Sequence, residues 1–148
     1  MGGDRAYFLA SILGYQGHTR VDADGFSGGI WLYWKPNLVS ISVAHEHHQH
    51  IIVEITRNGE TPWYFSVIYA SPDPLKRRDL WEELKNFAAT NNKLWLLAGD
   101  FNDTRYDWER NESFSETYRR YRLFNQLVHD MELVEVEKLT RLEQECFP

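Results

Sequence analysis

Two hydrophobic rhythms share this chain, one repeating every second residue and one every third or fourth, and the switches between them mark out its elements. Asp4 stands where it would cap a helix carrying Ala6, Leu9, Ala10 and Leu13 on one face, with Gly14 at its end, so a short helix covering a sheet is expected. After the polar turn Tyr15 to His18, Thr19 to Ala23 alternates weakly. Asp24-Gly25 then signals a turn, and Ser27-Gly28-Gly29 leads into the aromatic strand Ile30 to Trp34. Paired glycines there serve a bend or close packing, or else admit a ligand's phosphate. Leu38 to Ala44 alternates cleanly, with Leu38, Ser40, Ser42 and Ala44 on one face and Val39, Ile41 and Val43 on the other, as a half-buried antiparallel strand does. Gln49 to Thr56 puts Ile51, Val53 and Ile55 on one face. Asn58-Gly59 is a hairpin signal, and Thr61 to Ala70 supplies the returning strand.

The rhythm changes at Pro72. Asp73 is a natural cap and Pro74 suits the first helical position, after which Leu80, Trp81, Leu84, Phe87 and Ala88 recur at helical spacing as far as Asn91-Asn92. Leu94 to Ala98 is an unbroken apolar run, predicted as a strand buried on both faces. Strand, helix, strand in that order implies a crossover, which places Tyr64–Tyr69 and Leu94–Ala98 in one mixed sheet with Tyr69 near Asp100. Asp103 to Glu112 reads as a surface loop. Ser113 and Glu116 have capping-box spacing for a second long helix striped by Tyr121, Phe124, Leu127, Val128 and Met131. Leu133 to Val136 could begin another strand, and Glu137 to Pro148 reads as a charged short helix.

Composition narrows the class. At 148 residues, 43% hydrophobic and 15% aromatic, the chain is one domain's worth and able to bury a core. A net charge of -6 argues against gripping nucleic acid by bulk positive charge, while leaving room for a local basic groove. The single cysteine, Cys146, allows no internal disulfide and no cysteine-based zinc site. No apolar run approaches a bilayer span and no signal core follows Met1, so an intracellular, soluble protein away from membranes is expected, in nucleus or cytoplasm. No stable protein partner is implied. His45, His47, His48 and His50 crowd one connection. In extended chain His45 and His47 share a face and His48 and His50 the opposite one, so they converge on a metal only if a special turn intervenes; otherwise they are a solvated loop. Lys76-Arg77-Arg78 is either a solvated helix face or a reach toward a phosphate backbone.

The candidate chemistry lies at Gly99-Asp100-Phe101-Asn102. The apolar run stops there, and Asp100 and Asn102 project to one side of an extended chain at a strand's carboxyl end, where α/β sheets gather ligands. A plain Asx-type turn is the competing reading.

Leu97-Ala98-Gly99-Asp100-Phe101-Asn102 behind an apolar strand, with Ile68-Tyr69-Ala70 upstream, resembles the endonuclease/exonuclease/phosphatase superfamily. Asp24 to Leu32 and Tyr69 to Trp81 bring the resemblance nearer to the endonuclease domains of plant LINE-type retrotransposons, over about residues 4 to 136, with 137–148 a divergent tail. The resemblance implies an α/β (α+β) chain, a fragment of a four-layer αββα sandwich with a mixed sheet and covering helices, and a single, incomplete domain over residues 1–148. It implies phosphodiester hydrolysis of DNA with Mg²⁺ or Mn²⁺. Asp100 would orient and help deprotonate the attacking water, while Asn102 and Tyr69 would hold the scissile phosphate. The family's metal-binding Glu falls before Met1 and its terminal Asp-His pair after Val136, so no metal ligand is assigned and the metal would be held weakly or not at all. His129-Asp130 has the reverse order and sits on a predicted helix. The alternatives are an inactive retroelement remnant, or a nucleic-acid-binding module using Trp31, Trp34 and the basic triplet.

Overall fold

The computed structural model describes residues 3–24, 27–105 and 114–136. In order these form α1 (Gly3–Ile12), β1 (Gly17–Asp24), β2 (Ser27–Trp34), β3 (Ser40–His47), β4 (His50–Thr56), β5 (Trp63–Tyr69), α2 (Pro74–Thr90), β6 (Trp95–Asp100) and α3 (Phe114–Asp130). Two facing sheets and three helices make a mixed α+β fold, a fragment of the αββα sandwich expected. The chain divides into two compact units, Met1–Leu80 with Asn91–Asn102, and Trp81–Thr90 with Asp103–Pro148.

The first unit holds every strand. β1 and β2 form an antiparallel pair, and β3-β4-β5-β6 form a second sheet, antiparallel except for the parallel step from β5 to β6. Alternation along β4 sends Ile51, Val53 and Ile55 to one face, where Ile51 and Val53 pack with Ile30 of β2 and are flanked by Val21, Leu32, Ile41, Phe65 and Val67. That apolar filling between the sheets is the core of the unit. The Asn58-Gly59 signal is realised: Gly59 has φ +81° and the Glu60 N–H donates to the Arg57 carbonyl at 3.0 Å.

Several boundaries differ from expectation for identifiable reasons. β1 starts at Gly17 rather than Thr19, and Trp34, its partner across the ladder, lays its indole where a Gly17 Cβ would be. Leu38 is exposed in a turn, where its N–H donates to the Lys35 carbonyl, and β3 begins only at Ser40. On α1 the expected stripe is not buried: Ala10 is, whereas Leu9 and Leu13 are exposed. That helix ends as predicted, with Gly14 at φ +75° and a 6→1 bond from the Tyr15 N–H to the Ala10 carbonyl. The largest correction concerns β6. Among the described residues it borders only β5, so Leu94 and Leu96 are exposed instead of lying in a doubly covered strand.

In the second unit Trp81, Leu84, Phe124 and Leu127 are buried, with the Trp81 and Phe124 rings 5.6 Å apart. Lys85 pairs with Asp130 at 2.9 Å and Arg105 with Glu135. α3 closes with Glu132 at φ +52° and the Leu133 N–H on the Val128 carbonyl, and Val134 and Val136 are then exposed, so no strand begins at Leu133 among the described residues. The expected Asp24-Gly25 turn, most of the loop after Asp103, the Ser113 cap and the tail 137–148 lie outside the described residues.

Candidate active site

The crossover carries the chain from β5 through α2 to β6 and returns it parallel and in register. Tyr69 pairs with Asp100, and the Ala70 N–H donates to the Asp100 carbonyl at 2.8 Å. Register partners on neighbouring strands project to the same face, so the Tyr69 ring and the Asp100 carboxylate share the face that carries Phe65, Val67 and the core between the sheets. Asn102 follows in the left-handed region at φ +46°. Its backbone N–H donates to Asp100 Oδ1 at 2.8 Å, and its side-chain Nδ2 donates to the Ala70 carbonyl at 2.7 Å. The Asx turn is therefore present, and it ties the end of β6 to the end of β5. Each side chain keeps capacity beyond these bonds: a carboxylate has a second oxygen, and an amide nitrogen a second hydrogen. Gly99, at φ +141°, makes the close approach possible, because a Cβ there would overlap the Ile68 carbonyl oxygen.

The turn between β5 and α2 is held by two buried polar residues that the sequence did not single out. Gln49 Oε1 accepts the Ser71 N–H at 2.6 Å while Nε2 donates to the Lys76 carbonyl at 2.8 Å, and the Tyr69 N–H donates to the Gln49 carbonyl at 2.9 Å. Arg77 is buried and its Nη1 donates to the carbonyls of Ser71 and Pro72 at 2.8 and 2.9 Å. Lys76-Arg77-Arg78 is thus a solvated helix face only at its flanks: Lys76 and Arg78 are exposed, and the central cation holds the turn. A charged head needs such carbonyls when desolvated. Only the run of turn residues Ser71-Pro72-Asp73 hinted at this need. Asp73 caps α2 as expected, its Oδ1 accepting the Leu75 N–H at 2.9 Å.

The histidines do not form a solvated loop. His45 and His47 end β3, His48 and Gln49 make the turn, and His50 opens β4 fully buried. The special turn that convergence required exists, and His45 Nδ1 lies 3.0 Å from His50 Nε2. Burial foremost, and then the neighbouring His45, His47 and His48, push the His50 pKa down to about 3, which keeps its ring neutral at physiological pH.

Of the residues offered to a binding module, Trp34 is packed over Gly17 and Trp31 stands edge-on to Tyr33. His129-Asp130 lies in the last turn of α3, where Asp130 accepts from Gln126 and pairs with Lys85, contacts that hold its carboxyl below the usual range. Among the described residues no helix is long and apolar enough to cross a membrane.

A search of curated proteins finds no significant match to the chain. The family model described as endonuclease/exonuclease/phosphatase family matches residues 3–125, a span that runs from α1 through both sheets and includes Tyr69, Asp100 and Asn102. With most of its length matched, the chain belongs to the endonuclease/exonuclease/phosphatase family.

Proposed function

We propose that this domain acts on phosphodiester bonds of DNA, with Mg²⁺ or Mn²⁺ as cofactor, and that it is akin to the endonuclease domains of plant LINE-type retrotransposons. The observation that carries the reading is the in-register Tyr69–Asp100 pair, with Asn102 tethered to both strands. Asp100 keeps one carboxylate oxygen for the attacking water. Asn102 offers its second amide hydrogen, and Tyr69 its hydroxyl, to a phosphate oxygen as negative charge develops there. Both donors hang from backbone fixed by the Ala70 bonds, so little reorganisation is needed when a phosphate arrives.

The family is generally metal-dependent. One carboxylate, Asp100, is in register with Tyr69, and one of its oxygens already accepts the Asn102 N–H. Hard divalent cations are commonly held by one or two carboxylates with water and substrate phosphate, so Asp100 fits as one such group. A bound cation would act there as Lewis acid toward the phosphate. With Asp100 the one carboxylate in register with Tyr69 among the described residues, the affinity is low, and the site positions phosphate better than it turns it over. That same observation favours the second reading, a remnant that contacts nucleic acid without cleaving it.

Plasmid nicking with Mg²⁺ separates the two. The 148-residue chain is expected to nick weakly, and a chain extended with the first and last strands of a related domain to nick well and lose that activity on Asp100→Ala. An extended, folded chain that stays inactive would favour the remnant. Activity that survives Asp100→Ala would place the chemistry elsewhere.

A further inference from the structure

We infer that Asn58 is a modification site: its amide converts, without any enzyme, into a mixture of aspartate and isoaspartate at the turn between β4 and β5. Such a conversion needs a backbone nitrogen able to attack the side chain before it, and the structure decides which asparagine offers one. Asn58 is the only asparagine in the chain that precedes glycine; every other precedes a residue whose side chain crowds the approach. Asn58 and Gly59 are both exposed, and a Cβ built on Gly59 would meet nothing within 4 Å, so neither water nor the moving peptide is obstructed. The turn Arg57 to Glu60 closes through the Glu60 N–H on the Arg57 carbonyl, with Gly59 at φ +81°. That bond leaves the Gly59 N–H without an acceptor among the described residues. Elsewhere the parts are tied down. The N–H after Asn37 donates to the Lys35 carbonyl at 2.9 Å, and Asn86 and Asn125 lie inside α2 and α3, where the next N–H belongs to the helix ladder. Asn102 has its own amide nitrogen on the Ala70 carbonyl at 2.7 Å. The amide at the candidate active site is thus held, while the one at the distant turn is loose.

The steps balance with water as the sole co-reactant. The Gly59 nitrogen loses its proton to solvent and adds to Asn58 Cγ, the Cγ–Nδ2 bond breaks, and Nδ2 leaves as ammonia with one proton returned, so that a cyclic imide remains. Water then adds to one of the two imide carbonyls. Attack at Cγ breaks the Cγ–N bond and yields aspartate, whereas attack at the Asn58 backbone carbonyl breaks that C–N bond and routes the main chain through Cγ as isoaspartate. Closing the imide swings the Asn58–Gly59 peptide plane, and glycine, free to take either sign of φ, follows it at little cost. Isoaspartate adds one methylene to the main chain. The connection of residues 57–62 takes up that length, because it lies outside the β4 and β5 ladders. Either product adds one negative charge to a chain whose net charge is already -6, and places it beside Arg57, whose 3.5 Å pair with Glu60 it would share.

The test ages the 148-residue chain in mildly alkaline buffer at physiological temperature and follows its intact mass, which is expected to rise by about 1 Da as one amide becomes one acid. Digestion should place the change in the peptide that holds Asn58, and a carboxyl methyltransferase specific for isoaspartate should label that peptide alone. The rate should fall in mildly acidic buffer, because the attacking nitrogen must lose its proton. Asn58→Gln should abolish this first mass gain and Gly59→Ala should slow it about tenfold or more, both with the circular dichroism of the parent chain. A free peptide of residues 55–63 sets the reference, and the folded chain is expected to react within about tenfold of its rate. A mass that stays constant while the peptide reacts, a first change at another asparagine, or conversion that keeps its full rate in Gly59→Ala would each overturn the site.

Discussion

β4 and β6 carry similar apolar runs and meet opposite fates. Ile51, Ile52 and Val53 are fully buried, whereas Leu94 is 79% exposed and Leu96 36%. Composition does not separate them; neighbours do. β4 is paired on both sides and faces Ile30 of β2, while β6 has only β5 beside it among the described residues. An apolar run therefore records the burial a strand is suited to, and the elements around it decide how much it receives. The difference also has a use. The candidate site sits where the well-covered part of the sheet gives way to its open border, so a rigid strand presents Tyr69 and Asp100 to solvent.

The comparison breaks if both strands answer truncation alike. Ile51→Ala should cost about 3–4 kcal/mol in urea unfolding, and Leu96→Ala less than about 1 kcal/mol. Equal losses would mean that β6 is covered as fully as β4. A second contrast tests the backbone approach at the end of β6: Gly99→Ala should cost about 2–3 kcal/mol, because the added methyl meets the Ile68 carbonyl, whereas Gly59→Ala, with open space around it, should cost only about 1 kcal/mol for its left-handed φ.

The buried start of β4 gives a third. His50 has a folded pKa near 3 against 6.5 unfolded, so above pH 6.5 neither state binds its proton and no penalty arises. Below 6.5 the unfolded chain takes up the proton first, and stability should fall by on the order of 1 kcal/mol per pH unit until the folded pKa is reached. Unfolding at pH 7, 6, 5 and 4 should show this slope, and His50→Gln should remove most of it. The smallest effect belongs to Asn102. Asn102→Gly keeps the left-handed conformation and loses the bond to Ala70, while Asn102→Ala loses both advantages, so the two variants should differ by about 1 kcal/mol in favour of glycine. No difference would show that φ at this position is not constraining.

Element types were largely readable because short-range chemistry sets them. Asp73-Pro74 starts α2, Gly14 ends α1 and Asn58-Gly59 turns β4 into β5, each by local geometry. The crossover followed from element order alone, and with it the Tyr69–Asp100 register. What stayed hidden depends on partners distant in sequence. Arg77 looked like a surface cation until its carbonyls were in place, and Gln49 gave no signal because the amide it accepts and the carbonyl it reaches lie 22 and 27 residues on. The histidines differ from expectation for a subtler reason: assigning faces by counting holds for extended chain, and the reversal at His48-Gln49 sets His50 opposite His47, on the face that His45 and His47 share.

The Asn58-Gly59 turn lies at the far end of β4 and β5 from His50 and Tyr69, about 20 Å away at roughly 3.3 Å per strand residue. Nothing stands within 4 Å of a side chain built at Gly59, and the side chains of Arg57 and Glu60 beside it form an exposed 3.5 Å pair. The turn is therefore a natural port for engineering. A fluorophore, an epitope or new chain ends placed there would report on the domain or tether it without disturbing the end of the sheet that carries Tyr69 and Asp100.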